Sequence, residues 1–312
     1  MASMNWRRTF APADLGSRRV VETPGDIEDY EDREGYDPAF LRQREIPLPG
    51  LGAWEEDGVE LDARARRPRG DPTELAYRNF SVKISRSRRL PLFSAVNIAG
   101  ALSDRDVPRS NVWRYDPRAP REFQILREVY GAEDRNLFSR GHMTRREDPN
   151  WGDDPEVADA DTFHATNAAP QRQRFNAGIW LALEDYVLDN VDQEDIRATV
   201  ITGPVFRDED PVYQGVPVPT EFWKIVVYLH PELEDLAAIA YKRSQAKFLP
   251  ALGRRDSRFV FGDFDDTQVS VASLEEETGL DFSAIREIDV MAGADPGMVV
   301  ALRDLRDAFV TP

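Results

Sequence analysis

Histidine is scarce in this chain. Only His142, His164 and His230 occur among 312 residues, and there is no cysteine. Disulfides, thiol nucleophiles and cysteine-ligated metal sites are therefore excluded. A free imidazole titrates near ~6.5, so a histidine can act as a base at neutral pH without a large shift. His142 lies in SRGHMTRRED, between an expected strand end and a polar loop. Gly141 before it lets the backbone approach a neighbouring group closely. Arg140, Arg145 and Arg146 around it suit contact with phosphate. A lone histidine beside a glycine is more often structural than catalytic, and its loop context alone does not decide. His164, next to Phe163, reads as a packing residue or as one supporting the site from behind rather than as a second ligand, and His230 as a strand end.

A second group of polar residues follows in ATNAAPQRQRFNAGIWLALED. Asn167 and Gln171 fall in an expected proline-containing turn. Asn176, Trp180 and Glu184 then recur at steps of four on an expected helix. An asparagine in the first turns of a helix reads either as a cap or as an oxygen donor to a hard cation. Mg²⁺, which keeps several waters and takes few protein oxygens, suits the second reading.

The elements that must hold these groups are legible as runs of apolar residues. FSVKIS and LPLFSAVNIAG, separated by the charged turn SRSRR, predict a hairpin. A helix is expected around Arg121–Tyr130. Phe175, Ile179, Leu183 and Tyr186 mark an amphipathic helix over residues 173–189. ATVITGPVF, EFWKIVVYLH and LAAIAYKRS read as three strands. VASLEEETGLDF reads as a helix closed by Gly279, and MVVALRDLRDAFV as a last helix. No internal repeat is present. The whole predicts an α+β fold with a central antiparallel sheet.

Residues 1–75 are rich in proline, glycine and acid and show no sustained period. They read as an extended N-terminal arm pinned by Tyr36, Phe40, Leu41, Leu48 and Trp54, ahead of a domain at residues 76–312. The formal charge of −17 argues against a polyanionic partner. Its distribution reverses that reading. Fifteen basic and seven acidic residues lie between Ala76 and Arg146, a local net charge of +8. Such a block can bind phosphate while the rest keeps the chain soluble, although an ordinary arginine-rich surface has the same composition. The N-terminus lacks a signal-peptide core and no run is apolar enough to span a membrane, so a cytoplasmic location without membrane partners is expected.

Taken together, several motifs resemble the DNA/RNA non-specific endonuclease family. They are Arg140-Gly141-His142, Thr166-Asn167-Ala168-Ala169-Pro170-Gln171, and Asn176 to Glu184 with Trp180 between them. Ile201-Thr202-Gly203-Pro204-Val205-Phe206, Pro219-Thr220-Glu221-Phe222-Trp223-Lys224 and Glu277-Thr278-Gly279-Leu280 follow in the family's order. The resemblance runs from about Phe80 to Phe282. It implies a ββα-metal (His-Me finger) fold and a phosphodiester hydrolase acting on DNA, RNA or both. His142 is implied as the general base and Asn176 as the ligand of one Mg²⁺, for which Mn²⁺ can substitute. Arg140 is implied to offset phosphate charge, Glu184 to orient a water and Asn167 to fix the turn facing His142. Arg109, Arg145, Arg146 and Arg172 are the further cations expected along the nucleic acid. Products with 5′-phosphates follow, as do contacts to backbone rather than base. The first signature position departs from the family: Ser139 stands where it has aspartate. A homodimer, an inhibitory or activating protein partner, and an acidic arm covering the basic block are all compatible with a nuclease held in check. The competing reading is a protein on the same fold that binds nucleic acid without cutting it.

Overall fold

The computed structural model describes residues 20–21, 25–68, 70–130, 137–230, 235–249, 267–292 and 300–301. Its strands are β1 (Val20–Val21), β2 (Leu75–Ala76), β3 (Phe80–Ile84), β4 (Pro91–Ala99), β5 (Trp113–Arg114), β6 (Ser139–His142), β7 (Ala168–Gln171) and β8 (Arg197–Val205). They continue as β9 (Val212–Tyr213), β10 (Val216–Pro217), β11 (Glu221–His230), β12 (Asp235–Ser244), β13 (Thr267–Val269) and β14 (Val300–Ala301). The α-helices are α1 (Arg127–Tyr130), α2 (Pro155–Thr162), α3 (Leu181–Gln193), α4 (Val271–Thr278) and α5 (Ser283–Arg286).

Eight strands form one sheet in the order β14-β13-β12-β11-β8-β4-β3-β2. Every neighbouring pair in it is antiparallel. The expected hairpin is β3–β4, registered Phe80↔Val96, and the three later apolar runs are β8, β11 and β12. All of β4 and nearly all of β8 is buried, because the sheet is covered on both faces. On one face Val82, Val96, Val200 and Val226 pack against Leu183, Val187 and Val191 of α3. On the other, Phe93, Ile201, Ile225 and Ala238 pack against Leu274 of α4 and against Tyr36, Phe40, Ile46 and Leu51. Burying an aliphatic or aromatic side chain of this kind is worth about 1.5–3 kcal/mol.

Residues 25–75 therefore do not stand off as an arm. Tyr36, Phe40, Leu41, Ile46 and Leu51 are part of the second core, and Gly50 and Asp281 exchange backbone hydrogen bonds of 3.0 and 2.9 Å across the fold. The expected pins hold: Tyr36, Phe40 and Leu41 are buried, and Leu48 and Trp54 pack partly buried against them. Their irregular spacing hides them from any periodicity test. Three further expectations are corrected. Ala168–Gln171 is a strand rather than a turn, since Pro170 sits opposite Arg140 in a two-stranded ladder where its missing N–H costs little. The helix expected over Arg121–Tyr130 is a 3₁₀ turn at Arg121–Phe123 and then α1. In the expected last helix Val300–Ala301 pair with Thr267–Gln268 as a strand, and its remaining residues lie outside the described ones. The helix closed by Gly279 is seen as expected: α4 ends on that glycine in the left-handed conformation, at φ 70°.

Candidate active site

The site grows from a small antiparallel hairpin, β6–β7, registered Ser139↔Gln171 to His142↔Ala168. Alternation along β6 puts Arg140 and His142 on one side and Ser139 and Gly141 on the other. The second side explains the glycine. A Cβ on Gly141 would stand 2.1 Å from Oε1 and 2.2 Å from Cδ of Gln171, whose side chain lies fully buried across it. Ser139, in the signature position that departs from the family, donates its hydroxyl to Gln173 Oε1.

On the first side the half-buried His142 ring is held by two aromatic walls. The Trp113 ring of β5 lies 4.9 Å from it, and Phe163, just after α2, meets it edge-on at 5.1 Å. Cations extend the row at both ends. The Arg140 guanidinium lies 5.5 Å from the Trp113 ring and 5.3 Å from Tyr130, while that of the exposed Arg109 lies 5.2 Å from Phe163. Ring faces attract cations, by ~0.5–2 kcal/mol depending on desolvation. The imidazole thus sits within a line of alternating rings and positive charge.

Asn167 is fully buried behind this row. Its amide donates to the Thr144 and Thr162 carbonyls at 3.0 Å each, and its oxygen accepts the Thr144 N–H at 2.9 Å. Met143 N–H donates to the Asn167 carbonyl at 2.9 Å. These bonds tie the loop after His142 to the start of β7. Asn167 is therefore a tie behind the imidazole.

Asn176 and Trp180 sit in a π-helical turn, Phe175–Trp180, that runs into α3. Gly178 leaves helical conformation there, at φ −118° and ψ −109°, and Arg243 donates to the Ile179 carbonyl of the widened turn. Such turns recur at functional sites because they re-aim side chains. Asn176 is half-buried, and its N–H donates to the Arg172 carbonyl at 2.9 Å.

Glu184, on α3, enters a buried cluster of charge. Its Oε1 is 3.9 Å from Nζ of Lys224, a lysine nearly without exposure on β11 that also donates to Thr202 Oγ1 at 2.8 Å. Burial pushes the Glu184 carboxyl up to about 7 against the pull of Lys224 and Arg145, and pushes Asp148 up to about 6 in the same way. Burial lowers Lys224, with Glu184 and Asp148 opposing it. For Arg145 burial is outweighed by Asp148, Glu184, Glu147 and Asp185, and its pKa is raised.

The expected nucleic-acid cations divide. Arg145 is buried and donates at 2.6 Å to both Glu147 and Asp185. Arg146 pairs with Asp159 at 3.0 Å and with Glu147. Acids from elsewhere in the fold reach both. The same holds for much of the basic block: Arg78 pairs with Asp32, Lys83 with Asp71, and Arg105 with Asp189 and Asp192. Arg172 donates to the Leu137 carbonyl and lies 5.8 Å from the Phe138 ring. Arg109 and Arg140 are the expected cations that join the His142 row.

Sequence reading missed Trp113, Phe163, Asp148 and Lys224. Lys224 carried a signal: one of four lysines, in mid-strand between Trp223 and Ile225, it requires a buried carboxylate partner. The donor set has a definite chemistry. Among the described residues no three His, Asp or Glu side chains gather as a metal cage. Glu184 Oε1 is buried with no hydrogen-bond partner among them. A donor set limited to a carboxamide and one such carboxylate fits a cation that keeps most of its own waters, as Mg²⁺ does.

The model of the DNA/RNA non-specific endonuclease family matches residues 62–285, and the chain belongs to that family. It is 36% identical over 293 residues to the uncharacterized protein y4fB of Sinorhizobium fredii, covering 89% of this chain and 43% of that one. It is 28% identical over 220 residues to the mitochondrial nuclease EXOG of Danio rerio, covering 66% and 59% of the two chains. A nuclease of Nostoc sp. is 32% identical over 146 residues, 46% of this chain and 50% of that one. The chain thus spans about half the length of these relatives. Among solved structures, the EndoG/EndoGI complex matches with a TM-score of 0.53 and 23% identity over 70% of this chain and 89% of that chain. The fold is that of the ββα-metal class, α+β around an antiparallel sheet. No helix among the described residues is long and apolar enough to cross a membrane.

Proposed function

We propose that this chain is a metal-dependent endonuclease that hydrolyses phosphodiester bonds of DNA, RNA or both without reading base sequence. The observation that carries the reading is the His142 row, an imidazole walled by Trp113 and Phe163 with guanidinium groups at either end. His142 takes the proton of the attacking water, and the water oxygen forms the new bond to phosphorus as the bond to the 3′ oxygen breaks. The phosphate is left on the 5′ end. Arg140 and Arg109 offset charge on the phosphate, to which guanidinium matches two oxygens at once. Contacts to phosphate and sugar carry no base information, which accounts for the lack of sequence preference.

Asn176, through its carboxamide oxygen, and Glu184, through an intervening water, would hold Mg²⁺, for which Mn²⁺ can substitute. When bound, that ion supplies a Lewis acid for charge developing on the phosphate oxygens. Asn167 keeps the His142 loop in place, and Lys224 and Arg145 hold Glu184 within reach as a carboxylate. An inhibitory partner belongs to the same proposal, since an unrestrained nonspecific nuclease damages its own cell. In the solved neighbour, EndoG is held in a complex with EndoGI that is described as its mechanism of inhibition. The second reading, binding without cutting, rests on Ser139 in the signature and its bond to Gln173.

Cleavage of plasmid DNA and of RNA, side by side, with Mg²⁺ and with EDTA, tests the proposal. Whichever substrate is cut should be cut only with the ion, and His142→Ala should lower the rate by about 10²-fold or more, the scale of a lost general base. An undiminished rate in that variant removes His142 from the mechanism. Salt-dependent binding of nucleic acid without cleavage supports the second reading.

A further inference from the structure

His164, fully buried, is fixed at both ring nitrogens. Its Nδ1 lies 2.8 Å from the Asp161 carbonyl oxygen, so Nδ1 carries the proton. Its Nε2 must then accept, and the Tyr30 hydroxyl donates to it at 2.6 Å across 134 residues of chain. Tyr30 belongs to a 3₁₀ turn, Ile27–Tyr30, of the N-terminal segment. The Arg118 guanidinium lies 4.1 Å from its ring and 4.6 Å from that of Tyr77, and pairs with buried Asp116 at 2.7 Å. Tyr77 donates to Asp116 and is bonded to Thr166 Oγ1, each at 2.6 Å. Arg33 adds a second tie from the same segment, to Asp161 at 2.7 Å.

These contacts converge on the residues behind His142. The His164 carbonyl accepts the Asn167 N–H at 3.0 Å, and Asn167 in turn holds Met143 and Thr144. Phe163, the neighbour of His164, is one wall of the His142 ring. An apolar side chain could fill the place of His164 without needing a partner. A histidine there needs one in a set direction, and Tyr30 provides it.

We propose that Tyr30, acting through His164, is a positioning residue for the general base, so that the N-terminal segment is part of the catalytic apparatus. The inference rests on the nuclease reading for its kinetic test, but its structural test does not. With three histidines in the chain, imidazole ¹H–¹³C resonances are few and assignable. Tyr30→Phe keeps the ring under Arg118 and removes only the hydroxyl. In the full chain it should shift the His164 and His142 resonances. It should lower kcat by about ten- to a hundredfold, the scale of a small misplacement of reacting groups, with KM unchanged. If Tyr30→Phe does not fold, Arg33→Met, which breaks the more exposed tie, should move the same two resonances. A His142 resonance that stays in place while that of His164 moves overturns the proposal. An unchanged kcat in a variant with a shifted His142 resonance overturns it as well. Absence of cleavage by the unsubstituted chain defeats the nuclease reading alone, and the resonances still decide whether Tyr30 positions His142.

Discussion

Gly141→Ala tests the geometry of the hairpin that carries His142. An added methyl would stand 2.1 Å from Gln171 Oε1, 2.2 Å from Cδ and 2.6 Å from Cγ. Carbon does not approach other heavy atoms so closely, so something must move by about 1 Å. The obstructing group is a side chain, and a flexible one in solvent would swing away. Gln171 belongs to β7, the strand paired with β6, and its side chain has no exposure, so it has no solvent to swing into. Overpacking of this kind costs about 1–3 kcal/mol. That is small beside the ~5–15 kcal/mol of a typical domain, so the variant should remain folded at 25 °C. Its melting temperature should fall by about 2–10 °C.

Activity should fall much further than stability. Pushing Gly141 away from Gln171 displaces its neighbour in β6, His142. A 1 Å misplacement of a catalytic group can cost ~10²-fold, whereas loss of folded protein at this stability would be negligible. The assay is cleavage of plasmid DNA at 25 °C beside thermal unfolding by circular dichroism. Adding Gln171→Ala clears the obstructing atoms and should restore much of the melting temperature. A Gly141→Ala protein with unchanged melting temperature and rate would refute the packing of Gln171 on Gly141.

Two further outcomes follow from the buried charges. Between its ordinary value of 4.5 and about 7, the folded Glu184 carboxyl holds a proton that the unfolded chain has lost. Its favourable contribution is complete below pH 4.5 and is lost as pH rises through 7, a change of about 3 kcal/mol. Urea unfolding at pH 5 and pH 8 should therefore show a steeper loss in the native chain than in Glu184→Gln, and equal slopes would contradict the burial. The arginines should separate by assay. Arg109→Gln should weaken nucleic-acid binding and lower the salt slope by about 1, whereas Arg145→Gln should lower the urea midpoint and leave that slope alone. A salt slope that changes with Arg145 would place it on the substrate instead.

The residues that form the hairpin and the helix beside it were legible because they are local. Arg140, Gly141 and His142 are consecutive, and Thr166–Gln171 and Asn176–Glu184 are short runs. Whatever depends on distant chain was not. Trp113 and Phe163 have no spacing relation to His142, and meet it only because β5 and α2 flank the hairpin. The π turn escaped because an asparagine and a tryptophan four apart suit an α-helix equally well. Charge counting overstates the open charge for a physical reason: the net +8 of residues 76–146 is real, but Asp32, Asp71, Asp159, Asp185 and Asp192 reach in from outside the block and pair with Arg78, Lys83, Arg146, Arg145 and Arg105.

The same distinction between composition and placement decides what the N-terminal segment can do. Averaged over residues 1–75, proline and acid describe a chain with little to bury. Yet Phe40, Leu41, Ile46 and Leu51 are each at most 5% exposed, and they cover the sheet face that α3 leaves open. A lid that lifts from a basic surface must be held weakly enough to leave. Lifting these four would expose roughly 1.5–3 kcal/mol of burial apiece, together with the apolar side chains of β4, β8 and β11 beneath them. That is comparable with the whole stability of a domain. Wholesale lifting of residues 25–75 is therefore disfavoured, because that motion would unfold the protein.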